Sequence, residues 1–259
     1  MGVLNVTPDS FYDGGKFLSL VNAVEHANYL QECGADIIDI GGESTRPGAK
    51  SIPLSEELRR IIPVLETLRY SCDVPISVDT SKAEVMKKAI ECGASLINDI
   101  YSLRKPGALE VVADSDAHVC LMHMKGDPHN MQDDPYYEDL LLEVREFLND
   151  RISTCKNNGI SAERVIIDIG FGFGKTPQGN LRLINNLDYF KEIGSPVMVG
   201  VSRKSTIRKI CDDQLVGSLT AALLAVKNGA RILRVHDVKE TTAALKVWES
   251  FSQECLVEW

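Results

Sequence analysis

Eight short apolar runs, spread along the whole chain, each lead into a polar residue. An apolar run of about four to eight residues is typical of a β-strand that is buried on both faces. The residues that follow these runs are Asn5, Asp39, Asp79, Asn98, His123, Asp168, Ser202 and Arg234. A polar side chain at such a place costs free energy unless a site uses it. The pattern therefore predicts a barrel of parallel strands with a functional site along one rim.

The segments between the apolar runs carry helical spacing of apolar residues, most clearly over residues 23–33 and 136–157. Helices that alternate with buried strands predict an α/β fold with a parallel sheet. Two architectures satisfy this pattern, a doubly wound open sheet and a (β/α)8 TIM barrel. The number of runs and the polar residue at the end of nearly every run favour the barrel. The length of 259 residues also matches the roughly 250 that a TIM barrel needs, so we predict one barrel domain over residues 1–259.

Charge and cysteine content narrow the class of protein. A net charge of −9 and a pI near 5.1 argue against nucleic acid or an anionic membrane as a partner. They leave open an anionic small molecule, which a local cluster of Arg and Lys could bind. The seven cysteines include no C-x-x-C pair, and no apolar run is long enough to cross a bilayer. These features predict a cytoplasmic protein with reduced thiols.

Three polar residues at strand ends suggest recognition of a flat heterocycle. Asp79, Asn98 and Asp168 follow three different predicted strands, so a barrel would bring them to one rim. A carboxylate accepts N–H bonds from an amino-pyrimidinone edge, and an amide both donates and accepts. Each residue alone could equally be a helix cap or a satisfied core group. The glycine-aromatic stretch at 170–176 fails the spacing of a phosphate-binding loop and instead suits a wall beside a ring.

A second group of residues predicts an anion site. The cations that follow the seventh and eighth runs are Arg203, Lys204 and Arg234, with His236 beside them. TIM barrels often bind phosphate at this position, where Arg can donate two hydrogen bonds and Lys acts as a point charge. The five histidines show no spacing typical of a zinc site. We instead expect Mg²⁺ that arrives with a pyrophosphate, with the side-chain oxygen of Asn5 as a protein contact.

Two loops at predicted strand ends complete the candidate site. Residues 41–48 begin with two glycines, which let a backbone approach a ligand closely, and Thr45 and Arg46 could donate to an anion. The alternative is a plain glycine-rich turn with a solvated arginine. Residues 5–15 form a longer loop with two aspartates and two aromatic residues, which is either a solvated connector or a mobile lid.

Motifs along nearly the whole chain resemble those of the dihydropteroate synthases, the folate-pathway enzymes that sulfonamides target. The matching segments are 4–11 (LNVTPDSF), 39–48 (DIGGESTRPG), 77–80 (SVDT), 98–100 (NDI), 122–126 (MHMKG), 170–176 (GFGFGKT), 200–205 (GVSRKS) and 234–241 (RVHDVKET). So many motifs in one order make chance similarity negligible. The resemblance implies a TIM barrel that condenses a pterin-methyl pyrophosphate with p-aminobenzoate, uses Mg²⁺ and forms a homodimer. The family's usual segment before Asn5 is expected to be nearly absent here.

The resemblance also implies a role for each candidate residue. The residues expected to hold the pterin are Asp79, Asn98, Asp168 and Lys204. The residues expected to hold the pyrophosphate are Thr45, Arg234 and His236, with Asn5 at Mg²⁺. The residues expected to line the p-aminobenzoate pocket are Phe11, Arg46, Pro47, Phe171 and Ser202. The implied catalytic residues are Asp79, Lys204, Arg234, His236 and Asp13, the last on the first loop as it closes.

Two other functions stay open on sequence alone. A pterin-dependent methyltransferase would use the same barrel and the same pterin-binding carboxylates, but it has no use for a group of anion-binding cations. A non-catalytic paralogue would bind pterin and regulate or scaffold another protein. The complete set of cations and the complete first loop favour the synthase over both.

Overall fold

A computed structural model of the chain describes residues 1–6, 16–45, 48–49 and 51–254, except for the side chains of residues 16–19. Its eight strands are parallel, and each lies beside the next in chain order. They are β1 (Gly2–Asn5), β2 (Ile38–Gly41), β3 (Ile76–Asp79), β4 (Leu96–Asp99), β5 (His118–Met122), β6 (Val165–Asp168), β7 (Val197–Val199) and β8 (Ile232–Leu233).

The sheet closes on itself just after β8. Val3 N–H donates to the Val235 carbonyl at 2.9 Å, and Val235 N–H donates to the Met1 carbonyl at 3.0 Å. These bonds join the last strand to the first, so all eight strands form a ring. The predicted TIM barrel is confirmed. The doubly wound sheet is wrong, because that fold has two free edges and a reversal in strand order.

Helices surround the barrel in alternation with the strands. Those in the described part of the chain are α1 (Lys16–Glu32), α2 (Leu54–Leu68), α3 (Ala83–Glu91), α4 (Ala108–Ala113), α5 (Leu140–Asn157), α6 (Pro177–Asn185), α7 (Ser205–Ile210), α8 (Gln214–Asn228) and α9 (Val238–Gln253). The helix predicted over 136–157 begins later, because the Asp139 carboxylate caps it and accepts the Leu141 N–H at 3.2 Å. In the described ranges, none of the helices has the length and apolar content to cross a membrane.

Alternate residues of each strand point either towards the helices or into the barrel interior. In β6, Val165 and Ile167 belong to the large core shared with the helices, whereas Ile166 belongs to a small cluster with Met1, Cys120 and other apolar side chains. Successive side chains of a strand point to opposite faces, so Asp168 lies on the same side as Ile166. The same parity places Asn98 with Leu96 in β4. The barrel interior is thus apolar at one end and polar at the carboxyl ends of its strands.

Candidate active site

The carboxyl ends of the strands, here called the mouth, enclose a cleft that contains most of the predicted site residues. Those that line it are Thr45, Asp79, Asn98, Asp168, Phe171, Ser202, Lys204, Arg234 and His236. Asn5, at the end of β1, lies beside this set, since its side-chain oxygen and the Asp79 Cβ both approach Gly41. The predicted residues Phe11, Asp13, Arg46 and Pro47 lie outside the described residues.

Arg234 is held by two carboxylates from neighbouring strands. Its Nε donates to Asp39 Oδ2 at 2.6 Å, and its Nη2 donates to Asp79 Oδ2 at 2.7 Å. Because β8 adjoins β1 in the closed barrel, an arginine just beyond β8 can reach carboxylates of β2 and β3. Two carboxyl groups share one guanidinium, which leaves Asp79 Oδ1 outside these bonds. That oxygen suits an N–H donor of a bound ligand.

Sequence reasoning assigned no role to Asp39. In the structure, its carboxylate accepts hydrogen bonds from three side chains of this cluster. It is fully buried, and its Oδ1 accepts the Ser77 hydroxyl at 2.6 Å. Its Oδ2 accepts Asn98 Nδ2 at 3.3 Å as well as Arg234. Asp39 therefore orients two side chains that line the cleft without lining it itself. The available signal was a carboxylate in the middle of β2, where every residue is buried.

Burial controls the acidity of the carboxylates in the mouth. It raises the pKa of Asp79 to about 7, with Arg234 acting in the opposite direction and the like charge of Asp39 adding to the rise. Burial also raises the pKa of Asp168, although its hydrogen bond from Gly170 N–H and the nearby Lys204 oppose this. Burial would lower the pKa of Arg234, but Asp39 and Asp79 outweigh it and raise that pKa. Asp79 is therefore a carboxyl group that changes charge near neutrality.

The seventh and eighth strand ends supply cationic and hydroxyl groups to the same cleft. The Lys204 ammonium lies 4.2 Å from the centre of the Phe173 ring, a lining residue that was not among the predicted ones. The Ser202 hydroxyl lies 3.0 Å from His236 Nδ1. Arg203 points elsewhere, since its Nη2 pairs with Asp237 at 2.5 Å and its side chain is 53% exposed. Of the three predicted cations, only Lys204 and Arg234 thus line the cleft.

The glycine-aromatic loop after β6 surrounds the buried Lys175 instead of a phosphate. Its ammonium donates to the carbonyls of Gly170 and Phe173, both at 2.9 Å, and to the His123 carbonyl at 3.2 Å. His123 Nδ1 lies 3.0 Å from the same nitrogen. A Cβ at Gly170 would come within 1.8 Å of the His123 carbonyl oxygen, so this close approach requires glycine. The loop holds Phe171 and Phe173 against the cleft, and His123 now has a structural role as well.

The charges of the mouth fit a neutral ring and an anion side by side. Asp79, Asn98 and Asp168 offer acceptors at one cavity, and Lys204 and Arg234 add positive charge to it. Among the described residues, no three His, Cys, Asp or Glu side chains come close enough together to hold a metal ion. A single amide oxygen at Asn5 suits Mg²⁺ only when phosphate and water supply the other ligands.

Comparison with known proteins gives this geometry a family. A model of the family "Pterin binding enzyme" matches residues 1–236. The dihydropteroate synthase of Escherichia coli strain K12 is 49% identical over 254 residues, which cover 96% of this chain and 90% of that protein. The dihydropteroate synthase of Xanthomonas albilineans, solved with 4-aminobenzoic acid, superposes with a TM-score of 0.91 at 49% identity, covering 97% of this chain and 92% of the other.

A further structure of the Xanthomonas albilineans enzyme, in complex with 7,8-dihydropteroate, has a TM-score of 0.88 at 44% identity and covers 97% of this chain and 92% of the other. The family match spans most of the chain, and the identities extend over nearly its full length. The chain belongs to the pterin-binding enzymes and, among them, to the dihydropteroate synthase family.

Proposed function

We propose that this chain is a transferase that condenses 6-hydroxymethyl-7,8-dihydropterin pyrophosphate with p-aminobenzoate and releases 7,8-dihydropteroate and pyrophosphate. The observation that carries the proposal is the mouth itself. One cleft joins the acceptors Asp79, Asn98 and Asp168 to the cations Lys204 and Arg234. Relatives at this level of identity are dihydropteroate synthases, and solved relatives hold 4-aminobenzoic acid or 7,8-dihydropteroate.

The pterin ring would bind deepest, against the carboxylates. Asp79 and Asp168 are both buried at strand ends, where they can accept N–H bonds from the pyrimidinone edge. Asn98 has a fixed orientation because Asp39 accepts from its amide nitrogen, which leaves its oxygen as an acceptor. Lys204 would donate to the ring carbonyl.

The leaving group and the amine would occupy the outer part of the cleft. Thr45, Arg234 and His236 are the groups we assign to the pyrophosphate, and Phe171 and Ser202 to p-aminobenzoate. The assignments of Phe11, Arg46 and Pro47 to p-aminobenzoate, and of Asp13 to loop closure, rest on the sequence motifs alone.

The reaction needs charge stabilisation more than proton abstraction. The amine lone pair forms the new C–N bond at the pterin methylene carbon, the C–O bond breaks, and its electron pair leaves with pyrophosphate. The amine proton is released to solvent. Arg234 and His236 would stabilise the departing anion, while Asp79 would stabilise positive charge on the pterin. An aromatic amine is already neutral at pH 7, so the site has no need for a strong general base.

We also propose that Mg²⁺ accompanies the pyrophosphate. Bound there, the ion would neutralise charge on the leaving group. The fit rests on donor chemistry, since Asn5 offers a hard oxygen beside the cleft and the phosphates would supply further oxygens. Arg234 and His236 would hold the same anion independently of the ion.

A homodimer and a cytoplasmic location complete the proposal. Adjacent helices α7, α8 and α9 expose large apolar side chains, which include Ile210, Val216, Val247 and Phe251 at 54–82% exposure. A surface of this kind suits a second copy of the chain. Replacement of Val216 by Glu should then lower the mass measured by sedimentation. The six described cysteines are free thiols, as expected in a reducing compartment.

The relatives support the synthase and not the methyltransferase or the non-catalytic paralogue, and an activity assay tests this directly. We expect the chain, given the pterin pyrophosphate, p-aminobenzoate and Mg²⁺, to release dihydropteroate and pyrophosphate in equal amounts. Omission of Mg²⁺, with a chelator present, should reduce the rate. Binding of the pterin without product formation would refute the synthase and favour the paralogue.

A further inference from the structure

Two ion pairs join three charged side chains, which connect the loop after β2, helix α2 and the start of α3. Lys82 Nζ lies 2.6 Å from Glu43 Oε2 and 2.5 Å from Glu57 Oε2. Glu43 belongs to the loop that carries Thr45, Glu57 lies in α2, and Lys82 occupies the residue before α3. Glu57 is fully buried, so the bridge has one end in the core and the other on the loop. We call it the Glu43–Lys82–Glu57 bridge.

The bridge fixes the loop at both of its ends. Glu43 Oε1 accepts the Ile52 N–H at 2.8 Å, so one side chain ties the beginning of the loop to its end. Gly42 is pressed against α2, where a Cβ would come within 2.8 Å of Ile61, and its carbonyl accepts Arg60 Nη1 at 2.8 Å. Thr45 lies between these fixed points and lines the cleft.

The same bridge reaches the segment that follows Asp79. The Thr80 hydroxyl donates to Glu57 Oε1 at 2.6 Å, and Thr80 N–H donates to the Asn98 carbonyl at 3.2 Å. Glu57 therefore joins the two loops that place Thr45 and Asp79 on the cleft. The residues that line the cleft do not include Glu43, Lys82 or Glu57.

Glu43 and Lys82 each favour the charged form of the other. Burial alone would raise the pKa of Glu43, but the hydrogen bonds from Lys82 and from Ile52 N–H outweigh it and lower that pKa. Burial alone would lower the pKa of Lys82, but Glu43 and Glu57 raise it. A buried carboxylate left without its cation is strongly unfavourable, which gives the bridge a single preferred geometry.

We propose that Lys82 is a positioning residue, and that the Glu43–Lys82–Glu57 bridge holds Thr45 where the chain binds the pyrophosphate group of its pterin substrate. The inference rests on the proposed function. Loss of the loop end of the bridge should cause a defect confined to the pyrophosphate, because Glu57 keeps its bonds to Lys82 and Thr80 and so leaves the segment after Asp79 in place. A ligand without pyrophosphate should bind as before.

Two substitutions test whether Lys82 positions the loop or only attracts the pyrophosphate by its charge. Glu43→Gln replaces one of the two acceptor oxygens by an NH2 group, so the loop end loses its bond with either Lys82 or Ile52 N–H. Glu57 stays paired with Lys82, so the fold should survive. Lys82→Met removes the whole bridge. If Lys82 acted only as a distant cation, Lys82→Met would weaken pyrophosphate binding while Glu43→Gln, which removes a negative charge, would strengthen it. Positioning predicts that both weaken it.

The chain offers a matched control in α3, the helix that Lys82 precedes. Lys88 pairs with Glu91 at 2.6 Å in an exposed position, so Lys88→Met also breaks a lysine–glutamate pair. The measurements are the KM for the pterin pyrophosphate, kcat, and the Kd of 6-hydroxymethylpterin by calorimetry. Thermal unfolding of each variant reports any loss of fold.

We expect Glu43→Gln and Lys82→Met each to raise the KM for the pterin pyrophosphate by about tenfold. The Kd of 6-hydroxymethylpterin should change less than twofold in Glu43→Gln, and Lys88→Met should match the wild type in every measurement. An unchanged or lowered KM in a folded Glu43→Gln variant would overturn the positioning role. A wild-type chain that makes no dihydropteroate would instead refute the proposed function and leave this variant comparison unused.

Discussion

Two basic side chains at the mouth of the barrel differ in what surrounds them. The partners of Arg234 are side chains, the carboxylates of Asp39 and Asp79. Lys175 lies among three main-chain carbonyls and one imidazole nitrogen. Arg234 lines the cleft, whereas Lys175 is 3% exposed and does not. Burial lowers the pKa of Lys175 to about 7. The two residues thus show one basic group held by side chains and one enclosed by the backbone.

The difference lies in whether a ligand can replace the partners. A carboxylate that holds Arg234 can instead accept N–H bonds from a bound ring, and the guanidinium can then turn to an anion. The carbonyls around Lys175 belong to the loop 170–174 and to His123, so exchange would require the loop to unfold. We therefore expect substitution of Arg234 to alter activity, and substitution of Lys175 to alter stability.

The largest effect should follow Arg234→Ala. Loss of one preorganised electrostatic group lowers kcat/KM by about 10²–10³-fold, and inhibition by product pyrophosphate should weaken in parallel. The control is Arg164→Ala, since Arg164 Nη2 donates to the carbonyls of Val112 and Ala117 at 2.7 and 2.6 Å, away from the cleft. Equal affinity of the two variants for pyrophosphate would contradict the role given to Arg234.

The next effect should follow Lys175→Met. The change removes the ammonium from buried carbonyls, and we expect the free energy of unfolding to fall by about 3 kcal/mol. Lys125→Met is the control, because the Lys125 ammonium lies over the Tyr137 ring at 5.0 Å and its loss should cost about 1 kcal/mol or less. Urea unfolding measures both. A stable Lys175→Met variant with kcat/KM reduced a hundredfold would show that Lys175 serves activity and not stability.

The two cations also show what a sequence can reveal. Asp168 and Asn98 were predicted because each ends an apolar run, and strand parity places them on the same face as Ile166 and Leu96. The pairing of Arg234 with Asp39 joins residues 195 positions apart and exists only because the barrel closes between β8 and β1. Lys175 was less predictable still, since its partners are main-chain carbonyls, which every residue carries. Residue types reveal side-chain chemistry and not where the backbone will surround a charge.

The affinity for a pterin should depend on pH through Asp79, the partner of Arg234. The pKa of Asp79 is raised to about 7 by burial, and a protonated carboxyl accepts ring N–H groups less strongly than a carboxylate and turns one oxygen into a donor. Affinity for a pterin analogue should therefore rise up to about tenfold per pH unit until about pH 7. Calorimetry from pH 5 to 8 measures this, and Asp79→Asn should lose the dependence. A pH-independent affinity in the wild type would contradict it.

The contribution of Asp79 to the free energy of unfolding changes with pH in the opposite direction. The folded pKa of Asp79 lies above its usual value of 3.8, so the folded chain binds more protons than the unfolded chain between about pH 4 and 7. The contribution of Asp79 to stability is complete below pH 3.8 and is lost as the pH rises through about 7. Asp79→Asn should remove this share of the slope in urea unfolding.

The smallest effect should follow Thr176→Ala, on the residue next to Lys175. The Thr176 hydroxyl accepts the Gly179 N–H at 3.0 Å and caps α6, with Pro177 in the first turn. Loss of such a cap lowers the free energy of unfolding by about 1 kcal/mol, and Thr176→Ser should retain most of it. Because Thr176 does not line the cleft, KM for both substrates should stay within about twofold. A larger change in KM with an unchanged unfolding midpoint would mean that the loop around Lys175 takes part in substrate binding, and the contrast with Arg234 would then be one of degree.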